Sequence, residues 1–177
     1  MLQVAFLRAV NLGKRTVKMA RVVDVMRGLG YDGAWTHIAS GNVVFDATGK
    51  RSALEGELGD AFEAELGFEV TTFVRTAKEL RTALALDPFP VAAGDTYFLT
   101  FLKATPSATQ RAALEELSND YDTLVVKGRD VHWRMHGLSS ATTIPTKTWE
   151  QVIGRHTSTS RNTNMLRTLM VKIDARG

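Results

Sequence analysis

The 177-residue sequence predicts an α+β fold of two halves, each built on an antiparallel sheet and the two packed together. Three observations predict it. A strand–helix–strand–strand–helix–strand order runs through the first half, and the second half begins the same order again. The strands "VAFL" and "NVVF" are apolar at successive positions instead of alternating, the pattern of strands buried on both faces. One internal break, "DPFP" near Asp87 to Gly94, interrupts a helix, because the residue before a proline disfavours the helical region. The halves so defined are residues 1–86, including a connecting helix, and 95–177, including a terminal one.

Each element has its own signal. Residues 2–8 make the first strand. Met19, Val22, Val23 and Met26 recur at helical spacing and predict a helix over 17–29, with Thr16 as N-cap and Gly28 and Gly30 placed to end it. "AWTHI" and "NVVF" read as a hairpin across "ASG". Ser52 with Glu55 has the spacing of a capping box, ahead of a helix whose Leu54, Leu58, Ala61 and Phe62 line one face and which Gly67 stops. "FEVTTFV" is the fourth strand, and a second capping box, Thr76 with Glu79, opens the connecting helix. In the second half "TYFLTFL" is a strand, and Thr105 and Pro106 start a helix. "DTLVV" and "DVHWRM" are strands turning at Gly128, and "KTWEQVI" is a short helix ended by Gly154. "STSRNTNMLRTLMVKI" reads as a closing helix with Met165, Leu166, Leu169, Met170 and Ile173 on one stripe.

Composition narrows the function classes. Without cysteine there is no disulfide framework, thiolate metal site or cysteine nucleophile. A net charge of +3 permits an anionic partner but falls short of a nucleic-acid-coating protein. The apolar start "MLQVAFLRAV" has no basic segment before it and is broken by Arg8, so it reads as a strand, not a signal peptide. No apolar run approaches the ~20 residues of a membrane helix. The expectation is a soluble cytoplasmic protein with no membrane partner. The sequence carries no phosphate-binding Walker loop, nucleophile elbow, zinc-protease motif or dinucleotide fingerprint. Catalytic residues and cofactor therefore stay unknown, as does the oligomeric state.

The candidate site follows from topology. In such a sheet the first two strands run parallel, so the loop after the first and the turn after the second lie at one edge. That edge gathers Arg8, Asn11, Lys14 and Lys18 with Ser40 and Asn42, and the start of the first helix. Cations there oppose the helix dipole, which a bound anion would reverse. The alternative is an ion pair for Arg8, with Asn11 and Gly13 shaping a tight loop. "STSRNTN" repeats the character: Arg161 and Asn162 are expected in a first helical turn, and they join the candidate ligand-binding set. In "VHWRMH", His132, Arg134 and His136 share a strand face. The intervening arginine repels a cation, so a solvated polar face is expected and no metal site.

In that order, "FLRAVNLGKRTVKM", "ASGNVVF", "DPFP" and "STSRNTN" resemble the family of domain of unknown function 1697 (DUF1697) along essentially the whole chain. The resemblance implies two ferredoxin-like, βαββαβ-type subdomains and no established activity. It places Arg8, Asn11, Gly13, Lys18, Met19, Ser40, Gly41, Asn42, Arg161 and Asn162 at family motif positions. The chain departs from the family at Ala9, where a glycine is usual, near Lys14, where a second glycine is usual, and at Thr163 and Met165. The leading functional expectation is a binder of a small anionic ligand, a nucleotide or phosphorylated metabolite. The alternatives are a nucleic-acid-binding protein and an enzyme using Arg8, Lys18 and Arg161 as electrophilic groups.

Overall fold

A computed structural model describes residues 1–11 and 16–176. The chain forms two compact units, Met1–Leu80 and Arg81–Gly177. In the first, β1 (Leu2–Leu7), α1 (Met19–Gly28), β2 (Trp35–His37), β3 (Asn42–Asp46), α2 (Arg51–Leu66) and β4 (Thr72–Thr76) follow in order. α3 (Ala77–Leu84) crosses the division between the units, ahead of the "DPFP" stretch. The second unit continues with β5 (Thr96–Leu102), α4 (Ala108–Glu115), β6 (Asp122–Lys127), β7 (Asp130–Met135), α5 (Thr146–Ile153), β8 (Ser158–Asn162) and α6 (Thr163–Asp174). Both units hold a four-stranded sheet of the same plan, β2-β3-β1-β4 and β6-β7-β5-β8, in which every pairing is antiparallel. Two ferredoxin-like subdomains are thus present, each a βαββαβ unit followed by one further helix.

The non-alternating strands behave as their pattern requires. Val4, Ala5, Phe6 and Leu7 are all essentially inaccessible, so both faces of β1 are buried. One face joins Val43, Phe45 and Val74 under Val22 and Met26 of α1 and Leu54, Leu58 and Phe62 of α2. In the second unit Leu102, Leu124, Val126 and Val131 of the sheet pack with Leu114 of α4 and Trp149 of α5. The Trp149 ring stacks on Trp133, centroids 5.5 Å apart.

Helix starts depart from several sequence expectations. The second capping box is present: Thr76 N–H donates to Glu79, and Glu79 N–H donates to the Thr76 hydroxyl. The first is not. α2 begins earlier, with Lys50 as N-cap, and Glu55 instead accepts from Val74 N–H at 2.8 Å, tying the helix to β4. A buried carboxylate gains more from an otherwise orphaned strand-edge donor than from a solvated helix start. α1 begins at Met19, with Lys18 and not Thr16 in the N-cap position. α4 is capped by Ser107 through a reciprocal bond with Gln110, two residues later than Thr105 and Pro106 suggest.

The largest correction is at the C-terminus. Ser158–Asn162 is not helical but an edge strand on β5, with Thr100 and Ser160 hydroxyls bonded across the pair at 2.7 Å. An edge strand needs backbone pairing on one side only and tolerates a polar sequence. Leu166, Leu169, Met170 and Ile173 still form the buried stripe of α6, while Met165 lies off it, half-buried. No helix among the described residues is long and apolar enough to cross a membrane.

Candidate functional site

At one end of the first sheet, four segments are tied together by hydrogen bonds. Leu7 N–H donates to Gly41 O at 2.8 Å, and Arg8 N–H donates to Thr71 O at 2.9 Å. The Asn11 amide donates to Ala39 O at 2.6 Å and to Val17 O at 3.3 Å, and its oxygen accepts from Val17 N–H. Asn11 thus joins the loop after β1, the β2–β3 turn and the approach to α1. Gly41 sits where the loops touch. Its φ is +73°, and a Cβ there would lie 2.7 Å from Val10 Cγ2 and 3.0 Å from Leu7 Cβ. Asn42, fully buried, donates to His37 O at 3.0 Å and to the exposed Ser40 hydroxyl at 2.7 Å, closing the turn.

The backbone is strained in both loops that meet at Gly41. Ala9 and Ile38 hold φ of +57° and +53° without being glycine. Such conformations cost on the order of 1–3 kcal/mol each and persist only where the surroundings hold them in place. A glycine at position 9 would remove that strain.

Among the described residues, two cations stand on the segments of this edge. Arg8 is half-buried and Lys18 exposed, and among the described residues no carboxylate pairs with either. Lys18 is the N-cap of α1, a helix start with no side-chain cap bond and no acidic residue in its first turn. Partial positive charge from the helix dipole therefore meets the full charge of Lys18, which pairs with no carboxylate of the described residues. Of the sequence candidates, Arg8, Asn11, Lys18, Ser40 and Asn42 lie on these linked segments, Asn11 and Asn42 as clamps. Lys14 and Gly13 lie outside the described residues.

The model of the family described as "Protein of unknown function (DUF1697)" matches residues 1–132. The chain belongs to the DUF1697 family. The matched span contains the whole of this edge and ends before "STSRNTN". Among solved structures, the conserved bacterial protein SP0830 from Streptococcus pneumoniae is similar in fold. The TM-score is 0.75 at 17% identity, over 98% of each chain. No curated protein matches.

In the second unit of this DUF1697 chain, Arg161 and Asn162 do not stand in a first helical turn. Arg161 is on β8 opposite Leu99, donating to the Thr159 hydroxyl at 2.8 Å and to Ser160 O at 2.9 Å. Burial pushes its guanidinium down to about 10, which leaves it charged at neutral pH. Asn162 is the N-cap of α6, accepting from Asn164 N–H at 2.9 Å. The sequence expectation sets both residues inside the helix and misses the strand that precedes it.

His132 corrects a further expectation. Instead of lying on a solvated face, it is fully buried, with Nδ1 2.5 Å from the Tyr97 hydroxyl. Burial, aided by the Lys127 charge, pushes the imidazole down to about 4. The unfolded chain binds this proton near pH 6.5 and the folded chain does not, so stability rises with pH between the two values. The contribution is complete above about pH 6.5 and is lost as pH falls toward about 4, a change of about 3 kcal/mol for this group. Denaturant midpoints from pH 7 down to pH 4 should fall less steeply in His132→Leu than in wild type; parallel pH profiles would show that His132 titrates normally.

Proposed function

We propose that this DUF1697 protein binds a small anionic ligand, a nucleotide or phosphorylated metabolite, at the edge formed by Arg8, Lys18 and the Ser40–Asn42 turn. The observation that carries the reading is Arg8, a half-buried residue that has no carboxylate partner among the described residues and belongs to a loop clamped to the uncapped start of α1. Partly desolvating a cation is unfavourable unless an opposite charge completes the site. A phosphate would accept from Arg8 and Lys18 and from exposed N–H groups of the first helical turn. The rigid Asn11 and Asn42 clamps support it by fixing the loops before the ligand arrives, which reduces the entropy lost on binding.

Calorimetric titration with inorganic phosphate and with a nucleoside triphosphate tests the proposal. Wild type should bind at millimolar ligand or tighter, and Arg8→Ala and Lys18→Ala should each weaken binding by about 1.5–3 kcal/mol, as for charged hydrogen bonds. No heat from wild type, together with a markedly destabilised Arg8→Ala, would make Arg8 a structural residue. Binding to oligonucleotides that falls steeply with salt would favour the nucleic-acid reading instead.

A further inference from the structure

The second unit holds a cleft of its own that the Arg8 edge does not explain. It has a volume of about 230 Å³ and is lined by Asp87, Val91, Asp95, Tyr97, Asn164 and Arg167 among others. Pockets for drug-sized ligands run from about 300 to 1,000 Å³, so this one suits a smaller metabolite. Its walls differ in charge. The chain between α3 and β5 supplies the carboxylates of Asp87 and Asp95, while α6 supplies the amide of Asn164 and the guanidinium of Arg167. Tyr97, from β5, stands edge-on to Phe89 with centroids 5.0 Å apart.

The two walls meet in a single ion pair, Arg167 Nη2 to Asp87 Oδ1 at 3.6 Å, with Asp87 72% and Arg167 50% exposed. A long, exposed pair of this kind is weak and is readily exchanged for better partners. Arg167 also donates to Leu84 O at 3.2 Å, which fixes its position, yet its Nε and Nη1 make no hydrogen bond among the described residues. The same is true of the Asn164 amide and of the second carboxylate oxygen of Asp87. Asp95 is set rigidly in the wall, accepting from Ala92 N–H at 2.8 Å and bonded to His136 Nδ1 at 3.1 Å. Asp87 holds φ at +37°, a left-handed backbone on a residue other than glycine, and observed strain of this kind clusters at binding sites.

We propose that this cleft binds a compact zwitterion of the α-amino-acid type, its ammonium on Asp87 and its carboxylate on Arg167 and Asn164. Such a ligand inserts into the Asp87–Arg167 pair and gives each charge a full partner, so no ion is left unmatched. A phosphate does not fit, because two carboxylates line the same small space and repel it. An amine or an acid alone satisfies one wall and breaks the pair across the other.

The test is equilibrium titration of the full chain with a panel of L-amino acids, each compared with the amine lacking the carboxylate and the acid lacking the amine. The expected result is saturable one-to-one binding of at least one amino acid. Both truncated analogues, and both the Arg167→Met and Asp87→Asn variants, should bind about tenfold more weakly or worse, as the loss of a charged hydrogen bond implies. Both side chains are exposed, so the variants should keep the wild-type denaturant midpoint. Saturating phosphate should leave amino-acid binding unchanged, which separates this cleft from the Arg8 edge. The proposal is overturned if no panel member binds at millimolar concentration, if binding survives both substitutions, or if phosphate competes.

Discussion

Gly41→Ala is expected to destabilise the protein by about 2–4 kcal/mol, from an alanine forced into a left-handed backbone and from overpacking. The added Cβ would stand 2.7 Å from Val10 Cγ2 and 3.0 Å from Leu7 Cβ, atoms of the buried core. Val10 can shift a methyl group, but Leu7 Cβ is fixed by a strand paired on both sides. The comparison that isolates the packing part is Gly30→Ala. Gly30 has φ of +87° but nothing within 4 Å of its added Cβ, so only the conformational part, about 1–2 kcal/mol, should appear there. Urea midpoints at unchanged slope measure both. Equal losses in the two variants would mean that the loops do not meet at Gly41.

Leu166→Ala and Leu169→Ala are each expected to cost about 2–5 kcal/mol, the range for truncating a fully buried leucine. Both side chains are completely inaccessible on α6. Val171, on the same helix and 68% exposed, is the internal control and should change stability by no more than about 0.5 kcal/mol. The three denaturant midpoints would contradict the buried stripe if they moved together.

The sequence made the backbone plan legible because its signals are local. Periodic apolar residues, the Thr76–Glu79 box and the glycines at turns report on their own neighbourhoods. β8 was illegible because its pairing comes from β5, far away in sequence, and "STSRN" carries no apolar alternation of its own. The Ser52–Glu55 spacing misled for a related reason: the donor that Glu55 satisfies, Val74 N–H, is nineteen residues away. Alternation groups His132 with Arg134 and His136 on one strand face but does not say whether that face meets water. At the candidate edge, topology placed Arg8, Asn11, Ser40 and Asn42 at one end of the sheet. Their division of labour needed hydrogen bonds: the two asparagines hold backbone, and Arg8 has no acidic partner among the described residues. Asp87 and Arg167, 80 residues apart in the numbering, gave no joint signal.

The most direct test of the anion-binding reading is a residue-resolved phosphate titration followed by amide NMR shifts. The account predicts saturable shifts centred on the backbone amides of Arg8, Lys18, Met19 and Gly41, abolished in Arg8→Ala while that variant keeps its folded spectrum. Shifts confined to other parts of the chain, or none at millimolar phosphate, would contradict it.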